Sequence, residues 1–257
     1  MSVKVEIWKH KFEIKKGRWV HVPSKEMYLA GRKIHNFILK RWRPYFYYYH
    51  MRNGGHVLAS KIHLENNYFA LIDISNFFEC TSQSRVTREL KTLLPYNKAR
   101  EIAKLSTVRV PKSDPKKFSV PYGFPQSPIL ATLCLNNSYA GNLIETLRCE
   151  YNLTVSVYMD DIIISCNDYD LLCYCYERIN FSLIKSNYSL NLAKSQQPSR
   201  EIEVFNLRLS HNDLAVTSKR MVDFIKSYSE SENDFEREGI AAYVRSVNSI
   251  QANKHFL

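Results

Sequence analysis

Two apolar segments of this 257-residue chain end in carboxylates. The first, Tyr68–Ile74, reads as a β-strand and has Asp73 near its end. The second is a predicted hairpin, in which Met159-Asp160-Asp161 joins an apolar strand before it to another after it. Ordinary hairpin turns favour Asn-Gly or Asp-Gly, and two adjacent carboxylates repel each other there. If the two segments are neighbours in one sheet, three carboxylates meet at one end of that sheet.

A cluster of carboxylates of this kind indicates a site for divalent cations. Oxygen donors suit Mg²⁺, and a pair of such ions about 3.5–4 Å apart can serve phosphoryl-transfer chemistry. Each part of the pattern has a plainer alternative. An adjacent Asp pair is more often a solvated turn, and Asp73 is also placed where a helix N-cap could stand.

The remaining pattern predicts a mixed helix and strand protein. Apolar residues recur at helical spacing in several segments and alternate in others. The predicted elements are strands within residues 3–22, helices over 25–43 and 57–66, a helix from near Ser82, a helix from Ser127 and Pro128 to about Cys149, strands Leu153–Tyr158 and Ile162–Ser165, a helix over 168–187, a strand Val204–Ser210, and two short helices after Val216.

The positive charge of the chain lies in its N-terminal part. Residues 1–70 contain 14 Lys and Arg against 4 Asp and Glu, a net charge of +10. Residues 71–257 contain 22 against 21, a net charge of +1. A one-sided basic face attracts the phosphates of nucleic acid. A solvated basic surface and a membrane-facing patch are the alternatives.

Cysteine usage and hydropathy indicate a cytoplasmic protein. The six cysteines show no paired C-x-x-C spacing of a zinc site, and small core residues are their simplest role. The first ten residues lack the apolar core of a secretory signal, and no apolar run is long enough for a membrane span. We therefore expect no membrane partner.

Seven short motifs, in order along the chain, resemble those of reverse transcriptases. Tyr158-Met159-Asp160-Asp161 resembles their YxDD motif, and Asp73-Ile-Ser-Asn-Phe77-Phe78 resembles their DIxxFF motif. The resemblance covers residues 15 to 210. The other five motifs are Lys16–Pro23 (KxRxIxxP), Arg52–Gly55 with His63 (R-x-G…H), Gly123–Pro128 (GxPQ…SP), Leu190–Ser195 (LNxxKT) and Phe205–Leu207 at the primer grip.

The resemblance implies a two-metal active site. Asp73 and Asp160 would bridge two Mg²⁺ ions, with Mn²⁺ as the alternative metal, and Asp161 would complete the acidic site. The backbone carbonyl of Ile74 would face the metal. Lys194 is the candidate proton donor to pyrophosphate, although a lone lysine is usually solvated.

The resemblance also implies residues that bind the incoming nucleotide. Arg18, together with Lys16, would hold the triphosphate, for which a guanidinium is well shaped. Phe78 falls at the family's sugar gate, where a ring clashes with a ribose 2′-hydroxyl. Gln126 would touch the nascent base pair or sugar. The alternative for Arg18 and Lys16 is a basic surface turn. Phe78 could instead be a core aromatic, and Gln126 a polar residue at a helix start.

The aromatic run at residues 45–49 has two interpretations. It could stack nucleic-acid bases beside neighbouring arginines. Five consecutive aromatics cannot all face one strand, so we expect most of them to pack in the core.

The expected fold is α+β, a right-hand polymerase with fingers, an antiparallel-sheet palm and a small helical thumb. The predicted boundaries are fingers over residues 1–66, the first catalytic palm strand over 67–82, helices and a loop of fingers and palm over 83–122, palm over 123–210, and thumb over 211–257.

The chain most resembles small bacterial reverse transcriptases of the abortive-infection and defence-associated groups, which are related to retron and group II intron enzymes. Ser127-Pro128 directly follows Gln126, whereas the family commonly separates them, so the resemblance does not assign the template contacts of this loop. The resemblance implies an RNA template, a DNA or RNA primer and dNTPs as ligands. It also implies a non-coding RNA, a companion protein or a second copy of the chain as candidate partners.

The expected reaction is Mg²⁺-dependent DNA synthesis on a template. Three rivals share the sequence pattern: a template-independent or protein-primed nucleotidyl transferase, a catalytically silent nucleic-acid-binding protein of the same fold, and an RNA polymerase. The three aspartates weigh against the silent protein, and Phe78 weighs against the RNA polymerase.

Overall fold

The computed structural model describes residues 7–15, 17–111, 113 and 116–256. The strands are β1 (Trp8–Lys15), β2 (Arg18–Pro23), β3 (Tyr68–Ser75), β4 (Val108–Arg109), β5 (Phe118–Ser119), β6 (Thr154–Tyr158), β7 (Asp161–Cys166), β8 (Ser189–Leu190), β9 (Gln196–Ser199), β10 (Glu201–Val204), β11 (Leu207–Ser210) and β12 (Asp213–Val216). The helices are α1 (Lys25–Leu39), α2 (Gly55–Lys61), α3 (Gln83–Leu90), α4 (Tyr96–Leu105), α5 (Ser127–Asn136), α6 (Tyr139–Tyr151), α7 (Tyr169–Lys185), α8 (Ser218–Glu230), α9 (Asp234–Val247) and α10 (Ser249–Phe256), with a short 3₁₀ helix at Tyr49–Met51. Across these described ranges, no helix is long and apolar enough to cross a membrane.

The chain divides into two compact units. The helical unit comprises Met1–Phe46, Ile74–Ile144 and Ser182–Ser189, and the sheet unit comprises Tyr47–Asp73, Glu145–Phe181 and Leu190–Leu257. Residues 47–66 thus belong with β6, β7 and most of β3, although the sequence-based boundaries group them with the fingers. The functional subdomain boundaries stay a prediction.

The sheet unit is built on a five-stranded sheet. Its strands lie in the order β6, β7, β3, β8, and β9 also pairs with β3. β3 is antiparallel to β7, and their register runs from Tyr68 opposite Cys166 to Asp73 opposite Asp161. Both strands are buried along nearly their whole length, which explains their continuous apolar sequence. The predicted neighbourhood of the two carboxylate-bearing segments is therefore confirmed.

A second sheet and the C-terminal helices form another core of the sheet unit. β10, β11 and β12 form an antiparallel sheet. The single strand predicted over Val204–Ser210 was wrong, because Phe205 and Asn206 both have positive φ and turn the chain between β10 and β11. The buried side chains of this core are Phe69, Leu71, Ile163, Ile202, Val204, Leu207, Leu209, Leu214, Val216, Met221, Ala241, Val244, Val247, Ala252 and Phe256.

Three helices, α8 to α10, follow β12, whereas the sequence predicts two. The break between α9 and α10 lies at Asn248, whose backbone is extended. Its Oδ1 accepts a hydrogen bond from the Gln251 N–H, and its Nδ2 donates to the Leu214 carbonyl. The side chain thus caps α10 and ties it to β12, a role typical of Asn at a helix start.

The helical unit confirms the predicted start of α1. The Ser24 Oγ accepts a hydrogen bond from the Met27 N–H at 3.1 Å, which is the expected cap. The hairpin of β1 and β2 precedes it, also as predicted. α3 begins after Ser82, whose hydroxyl caps it in the same way.

The long helix predicted from Ser127 to about Cys149 was wrong in two respects. Ser127 is the first helical residue rather than the cap, and its Oγ donates to the Pro121 carbonyl at 2.7 Å. The helix also ends at Asn136, and α6 begins at Tyr139. The Ser138 Oγ accepts from the Gly141 N–H, and a side chain at position 141 would collide with the carbonyls at the end of α5. The apolar pattern continues through the break because α5 is buried and α6 buries its aliphatic side chains.

Candidate active site

Asp73 and Asp161 lie directly opposite each other at the end of the paired strands β3 and β7. Their side chains lie within hydrogen-bond reach of each other, and Asp73 is buried. β3 continues to Ser75 and the next helix begins at Gln83, so Asp73 is not a helix cap. Two carboxylates that are 88 positions apart in the chain are thus brought together by strand register.

Asp160 is the second of two residues in the turn between β6 and β7. Tyr158 pairs with Asp161, so Met159 and Asp160 form a two-residue loop. Met159 has φ +59°, a left-handed conformation that such hairpin turns usually give to Gly. A strained non-glycine residue at this position is typical of a functional turn.

Lys194 is ion-paired with Asp73. Its Nζ lies 2.9 Å from the Asp73 Oδ2, and the lysine side chain is 56% exposed while that of Asp73 is 3% exposed. The structure thus places Lys194 at the acidic cluster, and its role as a proton donor stays a prediction. A lysine that is half exposed yet paired with a buried carboxylate is not a simple solvated surface group.

Backbone contacts hold the Lys194 segment against Asp73. The Asn191 N–H donates to the Asp73 carbonyl at 2.9 Å, and the Asp73 N–H donates to the Ser195 Oγ at 3.0 Å. The Ser195 N–H in turn donates to the Asn191 carbonyl at 2.9 Å. The sequence alone does not reveal these contacts of Asn191 and Ser195, because both residues read as ordinary turn formers.

The electrostatics of the cluster are those of closely spaced negative charges. Burial, followed by the charges of Asp160 and Asp73, raises the pKa of Asp161 to about 7, and Lys194 opposes this shift. The hydrogen bond to Asp73 raises the pKa of Lys194. The cluster therefore favours additional positive charge.

The donor chemistry of the cluster fits a divalent cation, although the side chains are not arranged as a complete metal site. Within the described ranges, no group of three or more His, Cys, Asp or Glu side chains is placed so that it could hold a metal ion. Asp73 and Asp161 are within hydrogen-bond reach of each other, and Asp160 acts electrostatically on Asp161. Carboxylate oxygens on three such residues are the donors that Mg²⁺ prefers.

His63, which belongs to one of the motifs, lies inside the sheet unit. Its side chain has no exposed surface, and its ring nitrogens are 2.6 Å from the Ser165 Oγ and 2.9 Å from the Ser156 Oγ. Burial lowers its pKa to about 3. His63 thus bridges β6 and β7, the two strands of the catalytic hairpin, from within the core.

The helical unit contains Phe78 and Arg18, which meet on Tyr122. Phe78 is 9% exposed and packs edge-on against the Tyr122 ring, with centroids 4.7 Å apart. The Arg18 guanidinium lies 5.1 Å from the centroid of the same ring. Burial raises the pKa of Glu79, and the charge of Arg18 opposes this shift. Lys16, the other predicted triphosphate ligand, lies outside the described residues.

Gln126 is completely buried in the helical unit. Its Nε2 donates to the Ser106 Oγ at 3.2 Å, and its Oε1 has no hydrogen-bond partner among the described residues. A Cβ at Gly31 would collide with that oxygen. This placement lends no support to direct contact with a base pair, so the predicted role of Gln126 stays a prediction.

The aromatic run is mostly core, as expected. Tyr47, Tyr48 and Tyr49 are buried in the sheet unit, whereas Tyr45 and Phe46 belong to the helical unit and are exposed. Base stacking by the whole run is therefore wrong, because three of its rings have almost no accessible surface.

Comparison with known proteins gives one family match. Residues 14–210 match the family described as reverse transcriptase (RNA-dependent DNA polymerase). No curated protein is similar enough to count as a relative.

Solved structures of foamy viral protease-reverse transcriptases show partial similarity. The form described as dRH, in complex with double-stranded DNA, has 18% identity and a TM-score of 0.49 over 90% of this chain and 34% of that one. The complex with an RNA/DNA hybrid has 19% identity and a TM-score of 0.46, over 71% of this chain and 22% of that one. Another complex with double-stranded DNA has 18% identity and a TM-score of 0.44, over 76% of this chain and 36% of that one. The chain thus spans about a third or less of the length of these proteins.

The family match accounts for the observed mixture of helices and antiparallel sheets, so the expected polymerase fold class is confirmed. It covers all three aspartates and Lys194, together with the Phe78 and Arg18 positions. Because the match extends over more than half of the chain, this protein belongs to the reverse transcriptase (RNA-dependent DNA polymerase) family.

Proposed function

We propose that this chain catalyses Mg²⁺-dependent, template-directed DNA synthesis from dNTPs by two-metal nucleotidyl transfer. The observation that carries the proposal is the placement of Asp73 opposite Asp161, with Asp160 in the adjoining turn. These residues stand at the motif positions that reverse transcriptases use for metal binding. The family match supports the reaction class.

The chain's own residues have distinct parts in this reaction. Asp73, Asp160 and Asp161, with the Ile74 carbonyl, would hold the two Mg²⁺ ions, which when bound activate the primer 3′-hydroxyl and stabilise the departing pyrophosphate. Mn²⁺ is the alternative metal. Lys194 carries a proton on Nζ beside Asp73, and donation of that proton to the pyrophosphate oxygen would remove one negative charge from the leaving group.

The nucleotide-binding roles rest on the helical unit. Arg18 would hold the triphosphate, together with Lys16. Phe78 would exclude a ribose 2′-hydroxyl, and its packing against Tyr122 supports a fixed ring position. Contact of Gln126 with the nascent base pair or sugar would require its side chain to leave the buried position in which it donates to Ser106.

Primer extension tests the proposal. We would measure dNTP incorporation on an RNA template with an annealed DNA primer, for the wild-type chain and for the double variant Asp160→Asn, Asp161→Asn. The variant should lose incorporation by at least about 10³-fold, because both carboxylates act on the transition state. The matched control is Asp170→Asn, which removes an exposed carboxylate at the start of α7 and should leave the rate unchanged.

The outcome separates the rivals. Equal dNTP incorporation by the double variant and by the wild-type chain would reject the proposed site. Product whose sequence ignores the template would indicate template-independent or protein-primed synthesis. Binding of the primer-template without incorporation would indicate a silent polymerase fold, and preference for NTPs would indicate an RNA polymerase.

We further propose a cytoplasmic role in bacterial antiphage defence, with a non-coding RNA, a companion protein or a second copy of the chain as partner. This role rests on the sequence resemblance to defence-associated enzymes, and the six free cysteines are consistent with a reducing compartment. Phage plating on cells that express the wild-type chain or the Asp160→Asn, Asp161→Asn variant would test it. Equal plating on both would contradict the role.

A further inference from the structure

His50 accepts a hydrogen bond from the turn that carries the catalytic aspartates. The Met159 N–H donates to the His50 Nδ1 at 3.0 Å, across 109 positions of sequence. The His50 ring also lies edge-on to the Tyr158 ring, with centroids 5.9 Å apart. One imidazole thus contacts two consecutive residues of the segment Tyr158–Asp161, without being part of any recognised motif.

The backbone that carries His50 is itself fixed to β6. The Val157 N–H donates to the Tyr47 carbonyl at 2.8 Å, and Tyr48 forms a parallel bridge with Val157. Tyr47 and Tyr48 have no exposed surface, and His50 follows them in the short helix Tyr49–Met51. The position of the imidazole is therefore set by packing, and it presents a fixed acceptor to the turn.

Met159, which donates the hydrogen bond to His50, is also the residue of the turn with a strained backbone. Met159 has φ +59°, and residues with a Cβ are disfavoured in that region. A hydrogen bond that satisfies the N–H of this residue favours the conformation over relaxed alternatives. Without it, the loop would gain freedom to change the direction of the Asp160 side chain.

The acceptor role requires a neutral imidazole with its proton on Nε2. Burial lowers the pKa of His50 to about 4, while a hydrogen bond with the Val157 backbone opposes this shift. The ring is therefore uncharged at neutral pH, as the geometry demands.

We propose that His50 is a positioning residue, which holds the Met159-Asp160 turn in one conformation and so fixes the direction of the Asp160 carboxylate, whose charge acts on Asp161. The inference rests on the proposed polymerase function. It gives the segment before β3 an indirect part in metal binding, through the backbone of the turn. A purely structural His50 would fill space beside Tyr158 without any effect on the site.

The test compares two variants of nearly equal size. His50→Gln retains a strong acceptor in its side-chain carbonyl, whereas His50→Met offers only a weakly accepting thioether. Primer extension should show kcat for His50→Met lowered by about tenfold to a hundredfold, with KM for dNTP unchanged, because small misplacements of catalytic groups have effects of this size. His50→Gln should recover most of the rate. Tyr49→Phe, a change in the same short helix, is the control and should match the wild type.

A second readout separates failure of this inference from failure of the proposed function. Mn²⁺ titration followed by a thermal shift measures metal binding without turnover, and His50→Met should bind Mn²⁺ several times more weakly than His50→Gln. If the wild type is active and the two variants have the same kcat and the same Mn²⁺ affinity, the role of His50 is overturned and the proposed function is not. A wild-type chain that neither incorporates dNTP nor binds Mn²⁺ would instead overturn the proposed function. Should neither variant fold, hydrogen exchange at the wild-type Met159 amide decides: protection supports the bond to His50, and exchange at the rate of an unbonded amide excludes it.

Discussion

The Lys194 Nζ lies 2.9 Å from the Asp73 Oδ2, so a protein ammonium group shares the carboxylate that is proposed to bind both metals. Asp73 is buried, and its backbone is held on both sides by the segment that carries Lys194. An ammonium and a divalent cation compete for the same oxygen. We therefore expect Lys194 to oppose metal binding electrostatically, in addition to its proposed proton transfer.

Removal of this charge should strengthen metal binding. We expect Lys194→Gln to lower the dissociation constant for Mn²⁺ by about threefold to tenfold, equivalent to about 0.7–1.4 kcal/mol. Calorimetric titration measures the constant directly. Lys226→Gln, which removes an exposed lysine of α8, should leave it unchanged. Weaker Mn²⁺ binding by Lys194→Gln would show that the lysine supports the metal site instead of competing with it.

Substitution of Phe78 should reduce discrimination between sugars. Phe78→Val opens space beside Tyr122, and the preference for dNTP over the matching rNTP should fall by about tenfold to a hundredfold. Single-nucleotide incorporation kinetics with each substrate measure this ratio. Phe77→Val is the matched control: Phe77 is 1% exposed, so its truncation should lower stability without a change in the ratio. An equal effect of both variants on the ratio would remove the special role of Phe78.

Acid should destabilise the chain through His63. Its pKa in the folded chain is about 3, below the ordinary 6.5, because the buried ring stays neutral. The stability that it contributes is fully present above about pH 6.5 and is lost as the pH falls toward 3. Between pH 7 and pH 4.5 this loss amounts to about 2–3 kcal/mol. His50, whose pKa is also lowered, contributes in the same direction.

Chemical denaturation at the two pH values measures this effect. His63→Gln should be less stable than the wild type at pH 7 but should lose less stability on acidification. His10→Gln, a change at an exposed histidine of β1, should retain the wild-type pH dependence. An unchanged pH dependence in His63→Gln would contradict a neutral, buried His63.

The acidic cluster can be predicted from the sequence because short local patterns specify both the strands and the carboxylates at their ends. Apolar segments that end in Asp73 and Asp161 specify strands, and their burial requires a common sheet. The capping of α1 by Ser24 is predicted for the same reason, because a serine just before a helical pattern is a local signal for an N-cap. The family motifs then indicate which carboxylates we propose as metal ligands.

Other features depend on distant contacts that no local pattern encodes. The break between α5 and α6 depends on a close approach at Gly141, and the end of α9 depends on a bond from Asn248 to β12. The burial of Gln126 depends on the absence of a side chain at Gly31. His50 and Ser195 contact the backbone N–H of Met159 and of Asp73 across 109 and 122 positions, and although Ser195 lies in a recognised motif, neither contact is encoded locally.

The location of bound metal tests the account most directly. Crystals of the wild-type chain with a primer-template, dNTP and Mn²⁺ would give an anomalous difference map of the bound ions. The account predicts two peaks about 3.5–4 Å apart, both within coordination distance of the Asp73 and Asp160 carboxylates. Peaks that avoid these two residues, or ions held only by other carboxylates, would contradict it.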